Sequence, residues 1–359
     1  LRKKMEEPRN TPSFSVDQKK RILSKLNEAV VFEDFLAKKY VGEKRFSIEG
    51  AETVIPAMDE VIESGSELGV QEYVVGMAHR GRLNVLVNIL RKPHSDIFTE
   101  FEGYYNEIED FAGDVKYHHG YSCDVTSRSG AQVHLSLCAN PSHLEAVGPV
   151  AQGKARAKLD QKYAGDRKKI VPILIHGDAA IAAQGVVYEQ IQMSELEGYQ
   201  AGGTIHLVIN NQVGFTTNYH DARTSTYCTD VAKVTNSPVF HVNGDDVEAV
   251  VFACKLAMEF RQEFHRDVFI DLLCYRRHGH NEGDEPRFTQ PTLYKAIEAH
   301  PNPREIYYQQ LLGQGVVAAG YDKELDKAFR SSLQNQLNEV KQNGQAVKYS
   351  FGESVWKGI

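Results

Sequence analysis

The segment from Ile173 to Thr217, ILIHGDAAIAAQGVVYEQIQMSELEGYQAGGTIHLVINNQVGFTT, sets two short apolar runs on either side of one helix-length stretch. A chain patterned this way has little choice but a βαβ unit. Ile173 to Ile175 reads as a buried strand, GDAA as its turn, Gly185 to Leu196 as a helix, and Thr204 to Asn210 as a second buried strand. Ligands of open parallel sheets collect at the carboxyl ends of the strands. Asp178 and the Asn210-Asn211 pair fall there, beside a helix start whose free N–H groups suit phosphate. Asp178 offers a carboxylate, Asn211 an amide oxygen, and Val213 a backbone carbonyl just past the turn. Hard oxygen donors with room for phosphate and water suit Mg²⁺ better than Zn²⁺. The unit is a candidate cradle for magnesium diphosphate. The competing reading is an ordinary βα turn, with Asp178 as a helix cap and Asn211 as a turn residue.

The alternation continues on both sides of this unit. Tyr73 to Val75 and Val133 to Leu137 read as strands before it, Val239 to Val242 and Val268 to Cys274 as strands after it. Helical spacing marks Arg21 to Tyr40, about Ala51 to Gly65, Gly81 to Arg91 and Asp246 to Phe264. A further helix runs from Pro141 toward Leu159, with Pro141 in its first turn and Asn140 as its cap. The pattern predicts an α/β fold: a doubly wound, mostly parallel sheet with helices on both faces. Residues 1–20 read as a polar linker, 21–70 as a helical entry segment, 71–312 as the binding domain, and 313–359 as a peripheral helix leading into another linker.

Composition sets limits on partners. Of the 359 residues, 42% are hydrophobic and 25% charged, as in soluble globular proteins, and no apolar run is long enough to span a bilayer. A net charge of −7 without a basic stripe argues against a nucleic-acid partner, so an anionic substrate must meet a local cationic pocket. The five cysteines lie far apart with no Cys-x-x-Cys pair, which suits reduced thiols in a cytosol-like compartment.

The pattern Gly-Asp-X, 30 residues, Asn-Asn resembles the diphosphate-binding motif of thiamine diphosphate enzymes, with Ala179 where many members carry glycine. Around it, in order, stand GMAHRGRLNVLVNIL (Gly76 to Leu90), GDVKYH (Gly113 to His118), NPSHLEAV (Asn140 to Val147), NNQVGFTT and YRRHGHNEGDEP (Tyr275 to Pro286). Together they resemble the E1 components of 2-oxoglutarate dehydrogenase complexes over about Phe32 to Tyr308. The resemblance implies a thiamine diphosphate-binding fold of the diphosphate-holding type, with thiamine diphosphate and Mg²⁺ as cofactors. It implies oxidative decarboxylation of 2-oxoglutarate in the tricarboxylic acid cycle, with the succinyl group passed to the lipoyl domain of dihydrolipoyl succinyltransferase, the E2 component. It also implies a homodimer, the bacterial cytoplasm ahead of the mitochondrial matrix, and a pyrimidine-binding domain outside this chain, which alone would be inactive. Two rivals stand beside this reading: a 2-oxoadipate dehydrogenase E1, and a non-catalytic magnesium diphosphate-binding module.

The same resemblance assigns residues. His79 and His118 read the oxo acid, Arg80 contacts the cofactor, and Ser136 and Leu137 lie at a strand end where cofactor and substrate pass. Imidazoles and arginines are apt donors for a dicarboxylate. His280, with His278 in reserve, closes over the diphosphate, while His143 and Glu145 stay open between catalysis and helix capping. Asp221 to Asp230, DARTSTYCTD, reads either as a mobile lid or as a solvated loop.

Overall fold

The computed structural model describes residues 1–104 and 114–344. Its strands are β1 (Glu72–Met77), β2 (Tyr121–Thr126), β3 (Gln132–Leu137), β4 (Ile170–Gly177), β5 (Ile205–Asn210), β6 (Val213–Gly214), β7 (Thr217–Asn218), β8 (Val239–Asn243) and β9 (Val268–Leu273). Seven of them form one sheet in the order β2-β3-β1-β4-β5-β9-β8, and β6 pairs with β7 in a small hairpin. Every pairing in the large sheet is parallel except that of β2 with β3. β1 and β5 are buried at every position, as central parallel strands covered on both faces must be.

Alternate strand residues feed two cores. On one face Tyr73, Val75, Leu135, Ile173, Leu207 and Ile270 pack under the helices Val54–Glu67 and Val247–Phe264, with Val16–Lys39 and Tyr321–Asn343 layered outside them. On the other face Val74, Ile170 and Leu174 meet the helix Val147–Tyr163, while Val208 and Phe269 meet Asp178–Ala183, Gly185–Met193 and the 3-10 helix Cys228–Thr235. Each fully buried large apolar side chain stabilises this sandwich by about 1.5–3 kcal/mol. Strand order reverses between β1 and β4, whose carboxyl ends run side by side with Met77 opposite Ile175. Such a reversal opens a crevice at the strand ends. The chain leaves β1 there through His79 and leaves β4 through Asp178.

Several boundaries differ from the sequence pattern, each for a local reason. The polar stretch 1–20 includes a helix start: Ser15 accepts from the Gln18 N–H and the Gln18 side chain accepts from the Ser15 N–H, so Val16 is already helical. Asn140 caps nothing. Residues 140–146 are irregular, Glu145 stands in the left-handed region at φ 67°, and the helix begins only at Val147. GDAA is not a plain turn, because Asp178 opens the helix Asp178–Ala183. The edge strand β2 was not anticipated, its residues alternating between half-buried and exposed. In the tail, Leu333, Leu337 and Val340 tie the helix Tyr321–Asn343 to the core, while Gly113 of GDVKYH and residues 345–359 lie outside the described residues. No helix among the described residues is long and apolar enough to cross a membrane.

Candidate active site

Parallel pairing of β4 with β5 sets Gly177 beside Ile209, so Asp178 and Asn211 emerge from neighbouring strand ends. Both are buried, and the Asn211 Oδ1 accepts from the Val213 N–H at 3.3 Å, which leaves it a second lone pair. Ala179 lies directly against the hairpin: a Cβ built on Gly214 would stand 2.6 Å from the Ala179 methyl, so glycine is needed at that approach. Burial pushes the Asp178 carboxyl up to about 6, against the attraction of Arg223, whose Nη1 lies 3.5 Å from Oδ2. A carboxylate held this far above its ordinary range lacks sufficient positive charge beside it. Other polar atoms around the turn also lack partners. Asn210 Oδ1 and Arg223 Nε and Nη1 are buried without a hydrogen bond, although the Asn210 amide donates to Asp271 at 2.9 Å. Among the described residues no three His, Cys, Asp or Glu are grouped to hold a metal, so a cation here would rely on amide and backbone oxygens beside Asp178. That donor set fits Mg²⁺ with a polyanion completing its shell.

A second group of side chains forms around the end of β1. The His79 ring lies 4.1 Å from the Phe46 ring and 5.7 Å from the His280 ring, Phe46 meets Tyr117 at 4.7 Å, and Tyr117 meets His118 at 5.4 Å. The three predicted histidines thus share one aromatic cluster. Burial, reinforced by Arg80, holds His79 down to about 3 and His280 down to about 4, so both rings are neutral near pH 7. His118 Nδ1 donates to the Asp114 carboxylate at 3.0 Å, and its Nε2 faces the Ser142 hydroxyl at 3.2 Å.

Three guanidinium groups assemble this cluster from separate loops. Arg80 donates to the carbonyls of Ser47 at 3.2 Å and His280 at 2.7 Å. Arg276 donates to the carbonyls of His278 at 3.1 Å and Phe215 at 3.0 Å, and Phe215 in turn packs on His280 at 4.8 Å. Arg82, fully buried, donates to the carbonyls of Met77, His119 and Cys138. Among the described residues none of the three has a carboxylate within ion-pair distance, and desolvation draws Arg80 and Arg82 down to about 10. The Glu282 carboxylate closes the loop from the other side, accepting from the N–H groups of Arg45 at 2.8 Å, Phe46 at 3.2 Å and Ser47 at 2.9 Å.

The structure therefore brings Asp178, Ala179, Asn211 and Val213 together at one strand end, and His79, Arg80, His118 and His280 at the next. His278 instead donates to Glu49 at 2.7 Å. Ser136 is turned away, its hydroxyl accepting from Lys154 at 2.6 Å, and Leu137 packs into the main core. Glu145 accepts from His176 Nδ1 at 2.6 Å, and His176 Nε2 meets His206 Nδ1 at 2.9 Å, a buried chain within the sheet, while His143 is exposed. In the segment Asp221 to Asp230, Cys228 and Thr229 are buried against Asp271 and Arg223 reaches Asp178. Phe46, Arg276, Glu282, Asp271 and Arg223 escaped the sequence reading. For Asp271 the signal was an acid inside the apolar run Val268 to Cys274.

Known proteins resemble this chain over most of its length. Residues 24–348 match the profile of the dehydrogenase E1 component family. The chain is 52% identical over 332 residues, 92% of its length, to the 2-oxoglutarate dehydrogenase E1 component of Cupriavidus necator. It is 52% identical over 333 residues, 91% of its length, to the multifunctional 2-oxoglutarate metabolism enzyme of Mycolicibacterium vanbaalenii. Over 370 aligned positions it is 48% identical to the 2-oxoglutarate dehydrogenase E1 component of Brucella canis, with all of this chain covered. The matches span 35%, 27% and 37% of those curated relatives, so the chain corresponds to about a third of their length.

Proposed function

The chain belongs to the dehydrogenase E1 component family, and from that premise we propose that it is the diphosphate-holding part of a thiamine diphosphate- and Mg²⁺-dependent 2-oxoglutarate dehydrogenase E1 subunit. The observation that carries the reading is the buried Asp178–Asn211 pair at adjoining strand ends, next to a shell of histidines and guanidinium groups without carboxylate partners. Asp178, Asn211 and the Val213 carbonyl would hold the metal that accompanies the diphosphate. Thiamine diphosphate, when bound, would supply the electron sink for loss of CO₂ from a 2-oxo acid.

The residues of the chain then position and exclude. Arg80, Arg82 and Arg276 fix the loops through backbone carbonyls and leave positive potential over the crevice, which favours a dianionic substrate. His79 donates to the distal carboxylate of 2-oxoglutarate, and His118, its Nδ1–H held by Asp114, does so from Nε2 as the imidazolium. Phe46, Tyr117 and Phe215 line the histidines and keep bulk water from them. The succinyl group passes to a lipoyl domain of dihydrolipoyl succinyltransferase, in a homodimeric subunit completed by a pyrimidine-binding domain. The names of the relatives, E1 components of a complex, support such a partner, and their bacterial sources support a cytoplasmic setting.

The intact protein, supplied with Mg²⁺, thiamine diphosphate and [1-¹⁴C]2-oxoglutarate, is expected to release ¹⁴CO₂ and, with a lipoyl domain present, to leave a succinyl adduct visible by mass spectrometry. Turnover of 2-oxoadipate without turnover of 2-oxoglutarate would move the assignment to the neighbouring activity. Binding of magnesium diphosphate with no turnover of either acid would reduce it to a binding module.

A further inference from the structure

We infer that Arg223 is an anion-binding residue of this site, placed to donate to a phosphate oxygen of a diphosphate held at Asp178. The inference rests on the reading of Asp178 as a metal-diphosphate ligand and adds a residue to it. The Arg223 side chain is only 9% exposed, its Nη1 stands 3.5 Å from Asp178 Oδ2, and its guanidinium lies over the Tyr219 ring at 5.3 Å. Nε and Nη1 both lack a hydrogen-bond partner. A guanidinium stays charged at any pH that a folded protein meets, and buried donors left empty are costly.

Other arginines of this chain show what a satisfied group looks like here. Arg21 closes on Asp59 with two bonds of 2.8 and 2.9 Å, and Arg45 closes on Glu49 at 2.9 Å. Arg261, as buried as any residue in the chain, fills its donors with the carbonyls of Gly203, Arg167, Ile170 and Ala201. Arg223 does neither. Among the described residues it alone of the arginines carries buried nitrogens without partners. Its approach to Asp178 stops short of a hydrogen bond, so the carboxylate is a neighbour and not the group for which the guanidinium is placed.

Charge balance identifies the missing acceptor. A divalent cation with one carboxylate offsets about one unit of the two to three negative charges of a diphosphate, and arginine is the side chain best suited to take up phosphate oxygens. Metal at Asp178 also weakens the pull of that carboxylate on Arg223, freeing the guanidinium for the anion that arrives with the metal. Tyr219 and the buried Cys228–Thr229 pair hold the segment that carries it.

The test is calorimetric titration of the intact protein with Mg²⁺ alone and with inorganic diphosphate in the presence of Mg²⁺. It compares the parent with Arg223→Gln, Arg223→Met and Asp178→Asn, each checked for cooperative unfolding. Whichever Arg223 variant folds should bind Mg²⁺ as tightly as the parent or tighter and bind magnesium diphosphate roughly ten- to a hundredfold more weakly. Unchanged diphosphate affinity with tighter Mg²⁺ binding would overturn the inference and leave Arg223 as a counter-ion for Asp178. Full Mg²⁺ and diphosphate affinity in Asp178→Asn would instead remove the metal reading beneath it, an outcome that the arginine variants cannot mimic.

Discussion

The Asp178–Asn211 turn and the histidine shell adjoin at the same strand ends but are built differently. Asp178, Ala179, Asn211 and Val213 come from one βαβ unit, and the parallel register of β4 with β5 is enough to bring them together. His79, His118 and His280 come from three loops far apart in sequence, joined by arginines whose hydrogen bonds end on backbone carbonyls. One half follows from sheet geometry, while the other depends on a few buried side chains. Mutations in the arginines should therefore damage the shell and spare the turn, and mutations in the turn should do the reverse.

The largest effect is expected at Arg82. Replacing it with Met leaves the carbonyls of Met77, His119 and Cys138 without donors in a buried position, a loss of roughly 3–5 kcal/mol on folding. Urea unfolding measures it directly. Mg²⁺ affinity of the folded fraction should change little, since Arg82 makes no bond to the β4–β5 turn. A loss below about 1 kcal/mol would mean that the shell is held by contacts other than these.

Asp178→Asn attacks the other half. Losing the Asp178 carboxylate should weaken Mg²⁺-dependent thiamine diphosphate binding by on the order of a hundredfold or more, read by calorimetry. The pH dependence follows from the folded-state value of about 6, above the ordinary carboxylate range. The folded protein without metal binds this proton more tightly than the unfolded chain, so the contribution is present at low pH and lost as pH rises through about 6. Asparagine removes that loss, so the metal-free variant should be more stable than the parent at pH 7, by up to roughly 3 kcal/mol, while binding metal more weakly. In the parent, Mg²⁺ affinity should fall as pH drops below about 6. A metal-free variant no more stable than the parent would show that Arg223 already neutralises the carboxylate.

This contrast also explains what could be read from the sequence. The apolar runs of β4, β5 and β9 and the Gly-Asp to Asn-Asn spacing record local periodicity, so the sheet and the meeting of Asp178 with Asn211 were legible. Asp178→Asn therefore tests a residue that spacing alone suggested, whereas Arg82→Met tests one whose partners no spacing reveals. Arg82, Arg276 and Glu282 act on backbone groups 36 or more residues away or across loop turns, and nothing in their own neighbourhood marks those targets. Polar composition likewise concealed the helix start at Ser15, because a capping box needs only Ser and Gln three residues apart.

Smaller effects should follow from the histidines. Both His79 and His280 are held neutral by burial beside Arg80, so in the free protein they offer neutral N–H donors and not charges. His79→Ala should then lower kcat/KM for 2-oxoglutarate by a few- to about tenfold, the worth of a neutral hydrogen bond, with thiamine diphosphate affinity nearly unchanged. Between pH 5 and 8 the kcat/KM profile should carry no limb from His79, since its proton is already lost above about 3. His118→Ala should cost more, because its Nδ1–H is held by Asp114 and its ring is thereby fixed toward Ser142. Equal losses for 2-oxoglutarate and pyruvate would show that neither histidine reads the distal carboxylate.

The smallest effect is expected at Ser136, which tests how far the site extends from the β1 and β4 ends. Its hydroxyl accepts from Lys154 at 2.6 Å, on the face covered by the helix Val147–Tyr163, while its neighbour Leu137 packs into the core of the opposite face. Burial already draws the Lys154 ammonium below its ordinary range, so removing the hydroxyl takes away a partner that the lysine needs. Ser136→Ala should accordingly lose about 1 kcal/mol of stability, with thiamine diphosphate affinity and KM within about twofold of the parent. A tenfold loss of cofactor affinity with unchanged stability would reverse that picture. It would mean that Ser136 leaves Lys154 when the site is filled, and that the crevice reaches across β3 as well as β1 and β4.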